Sequence, residues 1–200
     1  MSRVATDPQR GADGLPQVFL EPGGLYCTAK PAVIRTVLGS CVAVCLVDRH
    51  GRAAGMNHYV LPSGQLSLRY GDIAIEQLIS KMCRLGCGMG DLRAKVFGGA
   101  AVLPFGVAED TVGTKNVNIA LEWLCSRSIP VVARRTGGEN GLLIRLYTAT
   151  GRVMVRPIGG TAGRLAPGRI ETHDSRKGDL VDGLIPSAGT ACINTGSIGR

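Results

Sequence analysis

Apolar periodicity runs through residues 18–156 of this chain and stops after Pro157. Within that span the period switches between the two that define regular structure. Short apolar runs bounded by Gly, Asp and Asn predict strands over residues 32–36, 41–47 and 52–61, with Asp48-Arg49-His50-Gly51 as the turn between the last two. Ile75, Leu78, Ile79 and Met82 fall at i, i+3, i+4 and i+7, which predicts a helix that follows Tyr70-Gly71-Asp72 and ends near residue 85. A strand over 93–97 ends at Gly98-Gly99. Val117, Ala120, Leu121 and Leu124 share one face of a second helix over 117–127, with Asn116 as its N-cap. Another strand covers 129–134, and 141–148 with 152–156 form a hairpin about Ala149-Thr150-Gly151. Strands and helices are interleaved while several strands join through tight turns, so the fold class is α/β with sheets that are not all-parallel.

The flanks are different. Residues 1–17 are polar with Pro and Gly and are expected to be a flexible leader. Residues 157–200 contain no aromatic residue and no sustained period, and are expected to be a disordered tail. A hydrophobic content of 44% supplies a core for the middle of the chain without a disulfide scaffold. The apolar runs fall short of the ~18–20 residues of a membrane span, and the N-terminus has no apolar signal core. A cytoplasmic protein without membrane insertion is expected, and seven cysteines fit a reducing compartment. No C-x-x-C pair occurs. Cys83 and Cys87 share a helix face with no histidine near them, so no metal site is expected.

The formal net charge is +8, and over residues 19–156 Lys and Arg outnumber Asp and Glu 16 to 9. That is a diffuse positive surface or one suited to an acidic partner. No lysine-rich run and no aromatic stacking platform lies among the basic residues, so nucleic acid is not the expected partner.

Cys41 enters its strand from the turn Gly39-Ser40, and His58 lies on the next strand. With the intervening turn centred between Arg49 and His50, facing residues have numbers that add to 99, which places Cys41 directly opposite His58. Residues so opposed share a face. An imidazole beside a thiol can take its proton, giving a thiolate–imidazolium pair and a strong nucleophile. Backbone N–H groups of the Gly39-Ser40-Cys41 turn can receive a developing oxyanion. Thr36, just upstream, offers a hydroxyl to orient the imidazole. The residues alone are met at least as well by a buried cysteine beside a satisfied core histidine. Cys45 shares the strand face of Cys41 but opposes Ala54 in this register; His50 lies in the turn and His173 in the tail.

Thr36-Val37-Leu38-Gly39-Ser40-Cys41-Val42-Ala43-Val44, followed by Gly55-Met56-Asn57-His58, closely resembles the CheD family of chemoreceptor glutamine deamidases. The resemblance continues through Arg69-Tyr70-Gly71-Asp72, Ala94-Lys95-Val96-Phe97-Gly98-Gly99-Ala100, Val112-Gly113-Thr114-Lys115-Asn116, Ile129-Pro130-Val131-Val132-Ala133, Gly137-Gly138 and Thr150-Gly151-Arg152-Val153. It implies a three-layer α/β sandwich with mixed and antiparallel sheets, similar to the catalytic domain of the cytotoxic necrotizing factor toxins. Residues 18–156 would then be a deamidase domain. It also implies an amidohydrolase that converts receptor glutamine side chains to glutamate and releases ammonia without a cofactor. A Cys-His-Thr triad comes with the family, and Cys41 and His58 match its nucleophile and base. Some members place the threonine six residues before the cysteine. Here that position is Arg35 and Thr36 is one residue closer. Leu142 stands where members often carry Arg. Esterase action on glutamate methyl esters, substrates in the cytoplasmic domains of methyl-accepting receptors, and docking with the CheC phosphatase are further implications. A non-catalytic adaptor that binds receptors or CheC is the alternative.

Overall fold

The computed structural model describes residues 5–10, 14–101 and 111–158, the first stretch by its backbone alone. In chain order the elements are β1 (Ala5–Arg10), β2 (Pro16–Phe19), β3 (Leu25–Thr28), β4 (Val33–Leu38), β5 (Val42–Asp48), β6 (Ala54–Asn57), α1 (Gly71–Arg84), β7 (Leu92–Gly98), α2 (Val112–Ser126), β8 (Val131–Thr136), β9 (Gly141–Tyr147) and β10 (Arg152–Ile158). One sheet has the order β1-β2-β4-β9-β10 and the other β3-β6-β5-β7-β8. Each is mixed: β2 runs parallel to β4 and β7 parallel to β8, while the remaining neighbours are antiparallel.

Strand β5 shows how three layers arise. Ala43 and Cys45 point into a core shared with Ile34, Leu38, Ile144 and Leu146 of the first sheet. Val42, Val44 and Leu46 point the other way, against Ile75, Leu78 and Met82 of α1 and Leu124 of α2. A strand buried on both faces reads as a continuous apolar run, which is why residues 42–47 contain no polar side chain. The layers are therefore sheet, sheet and helices, the α/β sandwich that the resemblance implies. Among the described residues no helix is long and apolar enough to cross a membrane, and no cluster of three or more His, Cys, Asp or Glu is placed to hold a metal ion.

Several local expectations change. Residues 5–10, read as leader, form edge strand β1, whose pairing with β2 shifts register between Asp7 and Arg10. The pairing uses backbone groups, and an edge strand tolerates Pro8 because one row of its N–H groups needs no partner. The same reasoning carries β10 through Pro157 to Ile158 at the opposite edge. The rest of the segment read as a tail, 159–200, lies outside the described residues, and His173 with it. Helix α2 starts at Val112, ahead of Asn116, because the Thr111 hydroxyl accepts from the Thr114 N–H at 3.1 Å and caps it. Cys27, Cys41, Cys45, Cys83 and Cys87 are free thiols.

Candidate active site

The β5–β6 hairpin sets the first half of the site. Its pairs are Cys45↔Met56, Leu46↔Gly55 and Val47↔Ala54, continued by the bridge Val42↔Tyr59. Partner numbers thus add to 101, not 99. The connection is a four-residue loop, residues 49–52. The Asp48 carboxylate accepts from the N–H groups of His50 at 2.9 Å and Arg52 at 3.4 Å, and Gly51 takes φ +75°. That side-chain cap moves the turn centre one residue on. A slip of one residue would turn every side chain to the wrong face; a change of two in the number sum displaces partners by two and preserves it. Cys41 therefore lies opposite Val60, with His58 its diagonal neighbour on the same face. Diagonal pairs stand ~7–8 Å apart at Cα, within reach of longer side chains.

At Asn57 strand β6 parts from β5. The Val44 N–H finds the Asn57 side-chain oxygen at 2.8 Å instead of a backbone carbonyl. The His58 backbone bonds to the segment before β3: its N–H donates to the Gly24 carbonyl at 2.9 Å, and its carbonyl accepts from Gly23 N–H at 2.7 Å. The backbone of the histidine is fixed on both sides while its ring enters the space between the sheets.

There the ring meets Thr36 of β4. Thr36 is 0% exposed and His58 2%. The threonine Oγ1 donates to the Leu20 carbonyl at 2.6 Å and lies 2.8 Å from His58 Nδ1. With its own proton committed to Leu20, the hydroxyl can only accept from the ring, so Nδ1 carries the hydrogen and Nε2 the lone pair. Nε2 is buried with no hydrogen-bond partner. Burial pulls the imidazole from 6.5 down to about 4, against a smaller upward pull from the Leu20 carbonyl.

Cys41 is half-buried at the edge of the inter-sheet core. Burial raises its thiol above the ordinary 9.0, opposed by its own backbone N–H and by the charge of Arg69. Burial thus disfavours the charged form of both groups, the thiolate of Cys41 and the imidazolium of His58. Cys45, wholly buried, is pushed up to about 12 and is inert by comparison. His50 sits exposed at the hairpin tip, 3.4 Å from Asp91.

The turn carrying Cys41 is held through all three of its carbonyls. Ala100 N–H donates to Gly39, Asn116 Nδ2 to Ser40 and Gly99 N–H to Cys41, at 2.9, 3.0 and 2.8 Å. The close approach requires Gly98, which takes φ +106° and whose absent Cβ would collide with the Cys41 carbonyl oxygen. Structure thus brings Thr36 and His58 into contact and places Cys41 diagonal to His58. Sequence reasoning missed Leu20, which anchors the threonine, and Asn57 and Asn116, although both asparagines stand inside the family-like motifs.

Comparison with known proteins bears on this arrangement. The chain is 69% identical over 149 residues to a protein of Rhodospirillum rubrum named probable chemoreceptor glutamine deamidase CheD, which spans 73% of this chain and 85% of that one. The chain belongs to the CheD family. A CheD protein of Sulfurimonas denitrificans bearing the same name is 43% identical over 145 residues, 70% of this chain and 93% of its own. The family model described as CheD chemotactic sensory transduction matches residues 61–157, a stretch that begins after His58. Among solved structures, the Bacillus licheniformis hypothetical protein YfiH is 14% identical, over 57% of this CheD chain and 51% of its own, with a TM-score of 0.42.

Proposed function

We propose that this chain is a protein-glutamine deamidase that converts glutamine side chains of methyl-accepting chemoreceptors to glutamate, with residues 18–156 as its catalytic domain. Cys41 is the nucleophile, His58 the base and Thr36 the group that holds the imidazole. The observation that carries this reading is the buried Leu20–Thr36–His58 chain, which leaves Nε2 unprotonated and unpartnered on a residue diagonal, in the hairpin register, to the half-buried Cys41. Membership of a family whose curated relatives bear the deamidase name supplies the substrate class.

In the first step the Cys41 proton passes to His58 Nε2 as Sγ attacks the side-chain carbonyl carbon of the glutamine. The oxygen of the tetrahedral adduct takes the negative charge and is met by N–H groups at the Ser40-Cys41 turn. The Nε2–H then protonates the amide nitrogen, the C–N bond breaks and ammonia leaves, so that a thioester remains. Water gives a proton to Nε2 and attacks the thioester; the sulfur departs, recovers its proton, and glutamate is released. Thr36 accepts from Nδ1–H throughout and steadies the imidazolium. Every step uses this chain's own residues. Glutamate methyl esters fit the same acyl chemistry, and CheC is a candidate docking partner by family.

The test is mass spectrometry of a purified receptor cytoplasmic fragment incubated with the protein. Conversion of glutamine to glutamate, lost in Cys41→Ala, is the expected result. A protein that binds the fragment without converting it would be an adaptor, and the proposal would fail.

A further inference from the structure

We infer that Asn116 is a positioning residue for the reaction: its side-chain amide holds the Ser40–Cys41 peptide so that the Cys41 N–H faces the thiol and the reacting carbonyl, and ties that turn to the strand end that carries the base. The inference rests on the reading of Cys41 as nucleophile.

Asn116 is 0% exposed. Its Nδ2 donates to the Ser40 carbonyl at 3.0 Å and to the Val60 carbonyl at 2.8 Å. Two carbonyl oxygens converging on one side-chain atom identify that atom as the nitrogen. Ser40 precedes the nucleophile. Val60 lies opposite Cys41 in the hairpin register and two residues beyond His58. Tyr59, between them, donates its hydroxyl to the Asn116 backbone carbonyl at 2.6 Å. One helix position thus grips the nucleophile's turn and the base's strand together.

The grip has a direction. In a trans peptide the carbonyl and the following N–H point opposite ways. Turning the Ser40 carbonyl toward α2 turns the Cys41 N–H away from it, and that N–H favours the Cys41 thiolate against the rise from burial. The Gly39 and Cys41 carbonyls, held by Ala100 and Gly99, brace the peptides on either side. The Asn116 Oδ1 is buried without a partner. Packing alone would not retain such an orphan; two N–H donors on one short, rigid side chain are what the position uses.

The experiment compares wild type with Asn116→Ala, which removes both donors, and with Asn116→Ser, a smaller polar replacement used if the alanine variant does not fold. Folding is checked by thermal melting. Alkylation by iodoacetamide at pH 8 is followed by peptide mapping at Cys41, with exposed Cys83 as internal reference. The expected result in a folded variant is Cys41 alkylation slowed about tenfold relative to Cys83, the thiolate lost to a rise of about one pH unit. Turnover of the receptor fragment falls about 10²-fold in kcat, as for a small misplacement of reacting groups, with KM within about twofold. A folded variant with unchanged Cys41 alkylation and kcat, or with KM alone altered, overturns the inference. So does failure of both variants to fold, which would make Asn116 a framework residue only. Turnover retained by Cys41→Ala would instead fail the functional reading, which the alkylation measurement does not depend on.

Discussion

Thr36→Val is the sharpest test of how the imidazole is held. Valine matches threonine in shape, so the substitution exchanges a hydroxyl for a methyl and opens no cavity. Two buried bonds disappear, 2.6 Å to the Leu20 carbonyl and 2.8 Å to His58 Nδ1. Each group left without a partner in this dry space costs about 1–3 kcal/mol, so stability falls by about 2–6 kcal/mol, a large share of the 5–15 kcal/mol typical of a domain. The catalytic effect has a separate origin. In the resting enzyme the Nδ1–H bond is between neutral groups, worth about 0.5–1.5 kcal/mol; once Nε2 takes the thiol proton it becomes charge-assisted, worth about 1.5–3 kcal/mol. The difference, about 1–2 kcal/mol, is stabilisation present in the transition state and absent before it. Its removal lowers kcat by about 5- to 30-fold, and loss of tautomer control adds to that. Time courses of glutamine conversion below the variant's melting temperature measure kcat, and thermal melts measure stability. Thr36→Ser keeps the hydroxyl and should retain most of the activity. A folded Thr36→Val enzyme with wild-type kcat would refute the argument, and an equal loss in Thr36→Ser would assign the effect to the methyl group.

Other consequences are equally open to measurement. Cys41→Ala should abolish turnover with little change in melting temperature, since Cys45 is held near 12 by burial and cannot replace it; residual conversion in that variant would sink the assignment. His58 binds its proton at about 4 folded against 6.5 unfolded, so between those values the unfolded chain carries the extra proton. The stability due to the neutral ring is complete above about pH 6.5 and declines as pH falls toward 4, by up to about 3 kcal/mol. Urea melts across that window should therefore be steeper in pH for wild type than for His58→Gln, and parallel curves would count against the buried neutral ring. Gly98→Ala places a Cβ against the Cys41 carbonyl at φ +106°, and should cost about 2–4 kcal/mol with loss of Cys41 alignment; an unperturbed melt would show that the β7 end is free to shift.

Local pattern was sufficient for what depends on neighbours in the chain. The apolar run of 42–47 and the 3.6-residue spacing of Ile75, Leu78, Ile79 and Met82 announce β5 and α1 because burial on a strand or a helix face imposes its own period. Cys41, His58 and Thr36 stood out through residue type, motif and spacing, and the shared face of Cys41 and His58 survived a register that differed by two because side-chain direction depends on parity alone. What only tertiary structure decided is long-range. The hairpin register depends on the Asp48 carboxylate capping a four-residue loop, a bond that competes with other turns of equal length. The fit of Thr36 to His58 crosses from one sheet to the other, with Leu20 fixing the proton's position. Asn116 reads as a helix start in sequence, yet the Thr111 cap puts it inside α2, where its amide reaches Ser40, 76 residues away. Such contacts follow from how sheets and helices pack, which no window of sequence encodes. The same packing raises the thiol and lowers the imidazole, since desolvation depends on what surrounds a group rather than on which residues precede and follow it.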